Sequence, residues 1–295
     1  MDLLEKSRSA ALKKCGAAVK KDSVSFGAFG SGGRIKETVY PCDGLSLARV
    51  IGLLKDEKSV VLGGATNVLF PDGDYDGTVI ATSKAKDVMR RGDKIYCSAG
   101  ARLPDVVKKC AGYALSGMEQ LSGIPGTVGG AITMNAGAFG REIAELVTRV
   151  DAVTRDGRVV SFNADALGAG YRHTQISAKG LTVLGAEFSL FPSSSKEVKT
   201  CIDGFALRRS ESQPKGRSLG SVFKRADGIS AGYYIERAGL KGKRIGGAEI
   251  SQKHAGFIIN TGEATSADFV YLSELAKKAV YDKFGIELEY EVVFL

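Results

Sequence analysis

Between Gly123 and Gly140 the chain reads GIPGTVGGAITMNAGAFG, with six glycines, one proline and no charged side chain, although 25% of the whole sequence is Asp, Glu, Lys or Arg. Residues this small add little apolar area to a core, and glycine loses the most backbone freedom on folding. Gly123, Gly126, Gly129 and Gly130 instead suit the close approach of a ligand or a second backbone, with Ile124, Pro125 and Val128 as anchors. A second turn, GGATN, comprises Gly63, Gly64, Ala65, Thr66 and Asn67 and follows the apolar run SVVL. Its glycine, hydroxyl and amide content lets backbone N–H groups and the Thr66 hydroxyl face phosphate oxygens. An ordinary tight turn is an equally good reading of that segment alone.

The common nucleotide-binding frames are missing, since no G-x-G-x-x-G follows a strand and no G-x-x-x-x-G-K-[ST] occurs. A dinucleotide, if bound, sits outside a Rossmann or P-loop frame. The two histidines, His173 and His254, form no H-E-x-x-H and leave few ways to build a Ser-His-Asp triad, so a structural role is the simpler reading of each. Cys15, Cys42, Cys97, Cys110 and Cys201 are odd in number and widely spaced, which argues against a disulfide framework or a zinc site, and no metal is expected. Three polar residues stand in unusual settings: Arg172 after Tyr171, Ser221 in SLGSVFK, and Glu291 beside Tyr290 near the end. Each has a plain alternative, as a surface cation, a turn serine and a solvated strand residue. Spacing does not unite them.

The elements that must position these residues are mixed α and β. Residues 2 to about 20 carry a weak helical period and LARVIGLLK a stronger one. SVVLGGATNVLF reads as a strand entering a turn, GTVIAT and KIYCSAG as strands, and LPDVVKKCAGYA as an amphipathic helix with Pro104 in its first turn. Asp156-Gly157 between alternating apolar runs predicts a hairpin, and LTVLGAEFSL another strand. A helix opening at FPSSSKEVK is expected to end near ALRRS, and a boundary follows it. After it come SVF, a helix through AGYYIERAGL, the strand GFIIN, a long helix SADFVYLSELAKKAVYDKF and a closing strand IELEYEVVFL.

With 295 residues the chain can bury a substantial core in one large or two modest domains. The net charge of +8 suits an anionic partner, but an aromatic share of 8% without Trp, and no basic-plus-aromatic stripe, argue against nucleic acid. Charges interrupt the N-terminal segment, so it lacks the h-region of a secretory signal, and no stretch approaches a membrane span; a cytoplasmic protein with no membrane partner is expected.

The string GMEQLSGIPGTVGGAITMNAGAFGREI resembles the flavin-domain signature of the UDP-N-acetylenolpyruvoylglucosamine reductase family, and VLGGATNVLFPDGDYDGTVI resembles its first flavin loop. YRHTQI, RRSESQPKGRSLGSVFK, AGLKGKRIGGAEISQKHAGFIIN and GIELEYEVVFL follow in the family's order. The resemblance implies an α+β fold: an FAD-binding domain of the vanillyl-alcohol oxidase (PCMH) type over residues 1–207, in two subdomains, and a smaller α/β substrate-binding domain over residues 208–286. Strand 287–295 would return to the first domain. The 49 positions from Arg172 to Ser221 (221 minus 172) resemble the shorter class, which lacks a tyrosine-bearing insertion.

By the same resemblance the chain would hold FAD non-covalently, take hydride from NADPH and reduce UDP-N-acetylglucosamine enolpyruvate to UDP-N-acetylmuramate, a peptidoglycan precursor, as a monomer. Gly63 to Asn67, Gly123 to Thr127, Gly129, Gly130, Asn135, Ala136 and Gly137 would line the cofactor. Arg172 and Glu291 would stabilise charge on the substrate's enol-like carboxylate, Ser221 would protonate the α-carbon, and Lys224, Arg225 and His254 would bind the substrate. Ala65 and Thr66 replace the family's frequent Gly and Ser, and alanine suits that position unless it needs positive φ. FGSGGRIKETVYP matches poorly, and Arg225 and Ala226 stand where many members have Asn and Pro. Two other readings use some of the same features: a flavin oxidase or dehydrogenase on this fold, and a non-catalytic nucleotide-binding protein.

Overall fold

The structure is a computed structural model that describes residues 3–295; Asp2, where the expected N-terminal helix begins, lies outside the described residues. Contacts divide the chain into two units. The first takes the chain to Asp22, then Lys36–Gly64 and Asp76–Leu207; the second takes Ser23–Ile35, Ala65–Tyr75 and Arg208–Leu295.

One sheet, most of whose residues belong to the first unit, carries the strands Ala17–Val24, Arg34–Pro41, Tyr75–Ala81 and Ser59–Leu62 in that order. The last pair runs parallel, with Ser59 opposite Thr78 and Leu62 opposite Ala81, so Ser59–Leu62 delivers the chain directly into the first glycine turn. A second sheet of five antiparallel strands orders Val159–Asn163, Val147–Val153, Thr182–Ser189, Lys94–Ser98 and Val88–Arg91. The Asp156-Gly157 hairpin forms as its sequence demands, with Gly157 at φ +87°. The helix Leu103–Gly112 has Pro104 in its first turn and buries Leu103, Val106, Val107 and Cys110, spacings i, i+3, i+4 and i+7 that form one apolar face. Against it pack Ile95, Leu121, Ile132 and Phe188, all closed to solvent. Each such side chain contributes about 1.5–3 kcal/mol by leaving water.

In the second unit a four-stranded sheet orders Arg217–Ser221, Phe257–Asn260, Ala248–Ile250 and Arg244–Ile245. The helices Ala231–Arg237 and Ser266–Phe284 contribute Tyr234, Ile235, Phe269, Leu272 and Val280 to its core. Thr265 and Asp268 form a reciprocal capping box at the start of the long helix, and Gly285 ends it at φ +67°. Val68–Leu69 and Val293–Phe294 make a short parallel pair, so the closing segment meets the N-terminal half of the chain here.

Two elements differ from expectation. The first helix spans Leu3–Lys14 and stops because Gly16 turns at φ +81°, after which Ala17–Val24 is a strand. The closing segment IELEYEVVFL is largely irregular, with a bridge at Tyr290 and the two-residue strand Val293–Phe294, since its partners change from residues 222–224 to residues 67–69 within a few positions.

Candidate functional site

In the first unit the two glycine segments meet. Gly63 has no positive φ, yet a Cβ there would overlap the Thr127 hydroxyl, so the close approach of the two loops is what excludes a side chain. The second segment is fixed as a short bridge against residues 99–103: Leu103 N–H donates to Gly126 O at 3.0 Å, Val128 N–H to Ala101 O at 2.9 Å and Gly129 N–H to Ala99 O at 2.8 Å. Gly123 and Gly126 turn at φ +73° and +108°, conformations that glycine adopts without steric cost. Gly129 has a packing reason to be glycine. It is buried, and a Cβ on it would stand 2.9 Å from that of Ala99, so backbone packing dictates its size. Gly64, Gly123, Pro125 and Gly130 are exposed, while Ile124, Gly126, Ala136 and Gly137 are half-buried.

These residues fit an extended, phosphate-bearing cofactor. Glycine leaves the backbone bare at Gly63, Gly64, Gly123, Gly126 and Gly130, and the buried Thr127 hydroxyl has no hydrogen-bond partner within the described protein. A group with acceptor oxygens would complete it. Thr127 also precedes the helix Val128–Thr133 without capping it, so its hydroxyl is not engaged locally.

Asn135 lies at φ +42° and is completely buried, with its side-chain amide engaged inside the protein. Its Nδ2 donates to Glu142 Oε2 at 2.6 Å and to Gly170 O at 3.0 Å, and its Oδ1 accepts from Ala144 N–H at 3.3 Å. The partner turn is Gly170–His173, closed by Gly170 N–H to His173 O at 2.9 Å and His173 N–H to Gly170 O at 3.1 Å. Within it Arg172 sits at φ +54°, its guanidinium 3.5 Å from the carbonyls of Asn135 and Gly137 and 5.0 Å from the Tyr171 ring. His173 is exposed, not packed as a structural histidine would be.

The second unit holds the rest of the first loop. Ala65 is buried at φ +47°, so the condition under which alanine is strained is met, and Thr66 is half-buried. Asn67 joins this loop to the closing segment: its Nδ2 donates to Glu291 O at 2.8 Å, and Val293 N–H donates to Asn67 O at 3.0 Å. Glu291 N–H donates to Val222 O at 2.9 Å, and Lys224 N–H to Glu289 O at 2.9 Å. Ser221 and Glu291, 70 positions apart in sequence (291 minus 221), therefore lie on adjoining backbone. A register shift before Ser221, with Gly220 at φ +78°, bends the strand at that residue. Between these positions, Tyr290 stacks on Phe223 at 5.0 Å and bonds Ser273 and Glu274, and its burial raises the phenol pKa. Around it Leu288 and Val292 are buried, whereas Glu289 is exposed and Glu291 half-buried.

Of the expected substrate residues, Lys224 is paired with Glu289 at 3.1 Å and Arg225 is exposed. The His254 Nδ1 accepts from Gly256 N–H at 3.1 Å, which leaves the proton of the neutral ring on Nε2. Burial lowers its pKa. A cavity of about 470 Å³ in the first unit, walled by Leu54, Lys55, Arg155 and Lys179, contains none of the expected site residues. Glu142 and Gly170 escaped sequence reading, because their bonds to Asn135 join positions 7 and 35 residues away.

Among the described residues no helix is long and apolar enough to cross a membrane. Residues 213–295 match the C-terminal domain of UDP-N-acetylenolpyruvoylglucosamine reductase, and residues 37–163 match an FAD binding domain. A UDP-N-acetylenolpyruvoylglucosamine reductase of Thermotoga sp. (strain RQ2) is 41% identical over 263 residues, covering 88% of this chain and 87% of that one. One from Streptococcus pneumoniae (strain Hungary19A-6) is 40% identical over 267 residues, covering 90% and 89%. The crystal structure of UDP-N-acetylenolpyruvylglucosamine reductase (MurB) from Thermus caldophilus superposes with a TM-score of 0.81 at 31% identity, covering 94% of this chain and 99% of that one. Matched at this identity over nearly the full length of its relatives, the chain belongs to the UDP-N-acetylenolpyruvoylglucosamine reductase family, flavin oxidoreductases that join an FAD-binding domain of the PCMH type to the family's own C-terminal domain.

Proposed function

We propose that this protein is the NADPH-dependent reductase of UDP-N-acetylglucosamine enolpyruvate, acting in the cytoplasm as a monomer to make UDP-N-acetylmuramate. Residues 1–207 would serve chiefly the cofactor and residues 208–286 the substrate. Bound FAD would supply hydride to the vinyl β-carbon after being reduced by NADPH. The bare backbone at Gly63, Gly64, Gly123, Gly126 and Gly130, with Ile124, Pro125, Ala136 and Gly137 beside it, would admit the cofactor, and the Thr127 hydroxyl would bond one of its oxygens. Ala65, Thr66 and Asn67 would continue that cradle.

As hydride arrives, negative charge develops on the α-carbon and spreads into the substrate carboxylate. Arg172 would hold that carboxylate, since a guanidinium offers paired donors to two oxygens. Glu291 would stabilise the enol-like state, and Ser221 would give its hydroxyl proton to the α-carbon. A serine is a weak acid, but a carbanion-like centre is a strong enough base to take its proton. Lys224, Arg225 and the neutral His254, with a donor at Nε2, would contact the UDP portion. The observation that supports this reading is the bond from Glu291 N–H to Val222 O, which lays the segment that carries Glu291 against the one that carries Ser221.

The test is the visible spectrum of the purified protein, first alone, then after anaerobic NADPH, then after the enolpyruvyl substrate. A flavin band should bleach and return in that order. Absence of flavin would favour a nucleotide-binding protein, and reoxidation by dioxygen with a sugar or hydroxy acid as donor would favour an oxidase.

A further inference from the structure

We infer that Asn135 is a positioning residue for Arg172, acting through the carbonyl of Gly170; the inference rests on the reading of Arg172 as the ligand of the substrate carboxylate. Arg172 occupies a left-handed conformation, at φ +54°, that a branched or long side chain adopts at a steric cost. Something outside the turn must hold it there. The turn's own closure is two backbone bonds between Gly170 and His173, and similar bonds close turns of other geometry. The additional restraint comes from Asn135, whose Nδ2 donates to Gly170 O at 3.0 Å from a site sealed from solvent. The Thr174 hydroxyl, which donates to Thr133 O at 3.0 Å, pins the far side of the same turn.

Only a primary amide suits this position. It must give one proton to the Glu142 carboxylate and one to the Gly170 carbonyl, and it must accept from Ala144 N–H. Aspartate is nearly the same shape but can give neither proton and would set a second carboxylate against Glu142. A shift of the turn by about an ångström would move the guanidinium off its target, and misplacement of that size can cost on the order of 10²-fold. Asn135 does not touch the substrate. Its effect must pass through Arg172.

That dependence defines the experiment, done on the flavin-loaded enzyme. Asn135→Asp combined with Glu142→Gln restores the bond between these two side chains, with the amide introduced at position 142 now the donor, and relieves the paired charges, but leaves Gly170 O only the His173 N–H within its own turn. This double variant should keep its FAD and bleach with NADPH within a few-fold of the parent, while binding UDP-N-acetylmuramate at least about tenfold more weakly by flavin absorbance titration. In an Arg172→Ala background the same pair of changes should weaken product binding no further. Equal weakening in both backgrounds overturns the positioning role while leaving the reading of Arg172 intact. If Arg172→Ala alone leaves product affinity unchanged, the reading of Arg172 falls and takes this inference with it. If the double variant loses FAD, exchange of the Gly170 and His173 amides in Asn135→Ser decides: faster exchange supports the restraint, and unchanged exchange overturns it.

Discussion

A methyl group added at Gly63 would test whether the two glycine segments meet as described. The backbone there tolerates an L-residue, and the new Cβ would overlap one atom, the Thr127 Oγ1, while Thr127 Cβ and Cγ2 would stand at 3.3 and 3.4 Å. Because Thr127 is buried and its backbone is bridged to Arg102, it cannot swing aside freely. Overpacking of this kind costs about 1–3 kcal/mol, so Gly63→Ala should lose about 2 kcal/mol. Thr127→Ala removes the obstructing oxygen. Deleting an unpartnered buried hydroxyl recovers about 1–3 kcal/mol of desolvation, offset by the loss of a buried methyl worth about 1 kcal/mol, so this variant should lie near or above the parent. The pair together should then exceed the sum of the single changes by about 2 kcal/mol. Urea unfolding of the flavin-stripped protein measures all three. Additivity within about 0.5 kcal/mol would mean that the loops do not touch at these atoms, and the reasoning fails. The same set reports on the cofactor, since Thr127→Ala should weaken FAD binding about tenfold by loss of one hydrogen bond.

Ala65→Gly should stabilise the protein by about 0.5–1 kcal/mol, because relief of about 1–2 kcal/mol of left-handed strain outweighs the extra freedom of glycine in the unfolded chain; a lower melting midpoint would show that the buried methyl matters more. Ser221→Ala should leave FAD content and bleaching by NADPH nearly unchanged but slow reoxidation by substrate at least about 10²-fold, with partial recovery in Ser221→Cys; turnover within a few-fold of the parent would remove Ser221 as the acid. Burial lowers the pKa of His254, so the unfolded chain binds more protons at this residue: its contribution is fully present above the unfolded value of about 6.5 and is lost as pH falls. His254→Gln should therefore flatten the decline in stability below pH 6.5, and identical slopes would refute the assignment. Flavin should also be released into the filtrate when the protein is denatured, since neither glycine segment contains a His or Cys for a covalent link.

The local elements were legible where one short stretch contains its own cause. Asp156-Gly157 needs only positive φ at the glycine to make its hairpin, and Pro104 with the spacing of Val106, Val107 and Cys110 specifies the helix it opens. The long helix Ser266–Phe284 is likewise bounded by its own cap residues. The closing segment was misread because alternation in IELEYEVVFL signals extended backbone but cannot say which partner pairs with which residue. Within the glycine segment, size alone could not separate Gly126, where φ decides, from Gly129, where Ala99 stands in the way. Asn135 shows the same limit. A small polar residue in a flavin-like motif suggests a ligand contact, and only the fold shows that its amide is also bonded to Glu142 and Gly170 in the interior. Arg172, Ser221 and Glu291 could be grouped through the family resemblance but not through spacing, since the bond that brings Glu291 beside Ser221 joins segments distant in sequence.

The parallel pairing of Val68–Leu69 with Val293–Phe294 sets an order of assembly during synthesis. All segments of the first unit have been made once Leu207 has been added, whereas the second needs Ser23–Ile35, Ala65–Tyr75 and residues through Leu295. While the ribosome adds residues 208–295, at about 5–20 per second, the loop that carries Ala65 to Asn67 must wait without its strand partner. Closing a span of more than two hundred residues costs entropy that grows only slowly with length, so the delay concerns time far more than final stability. The waiting loop holds part of the proposed cofactor cradle. Flavin binding competence should consequently appear late, and nascent chains arrested before Val293 should contain a formed first unit that does not yet retain FAD.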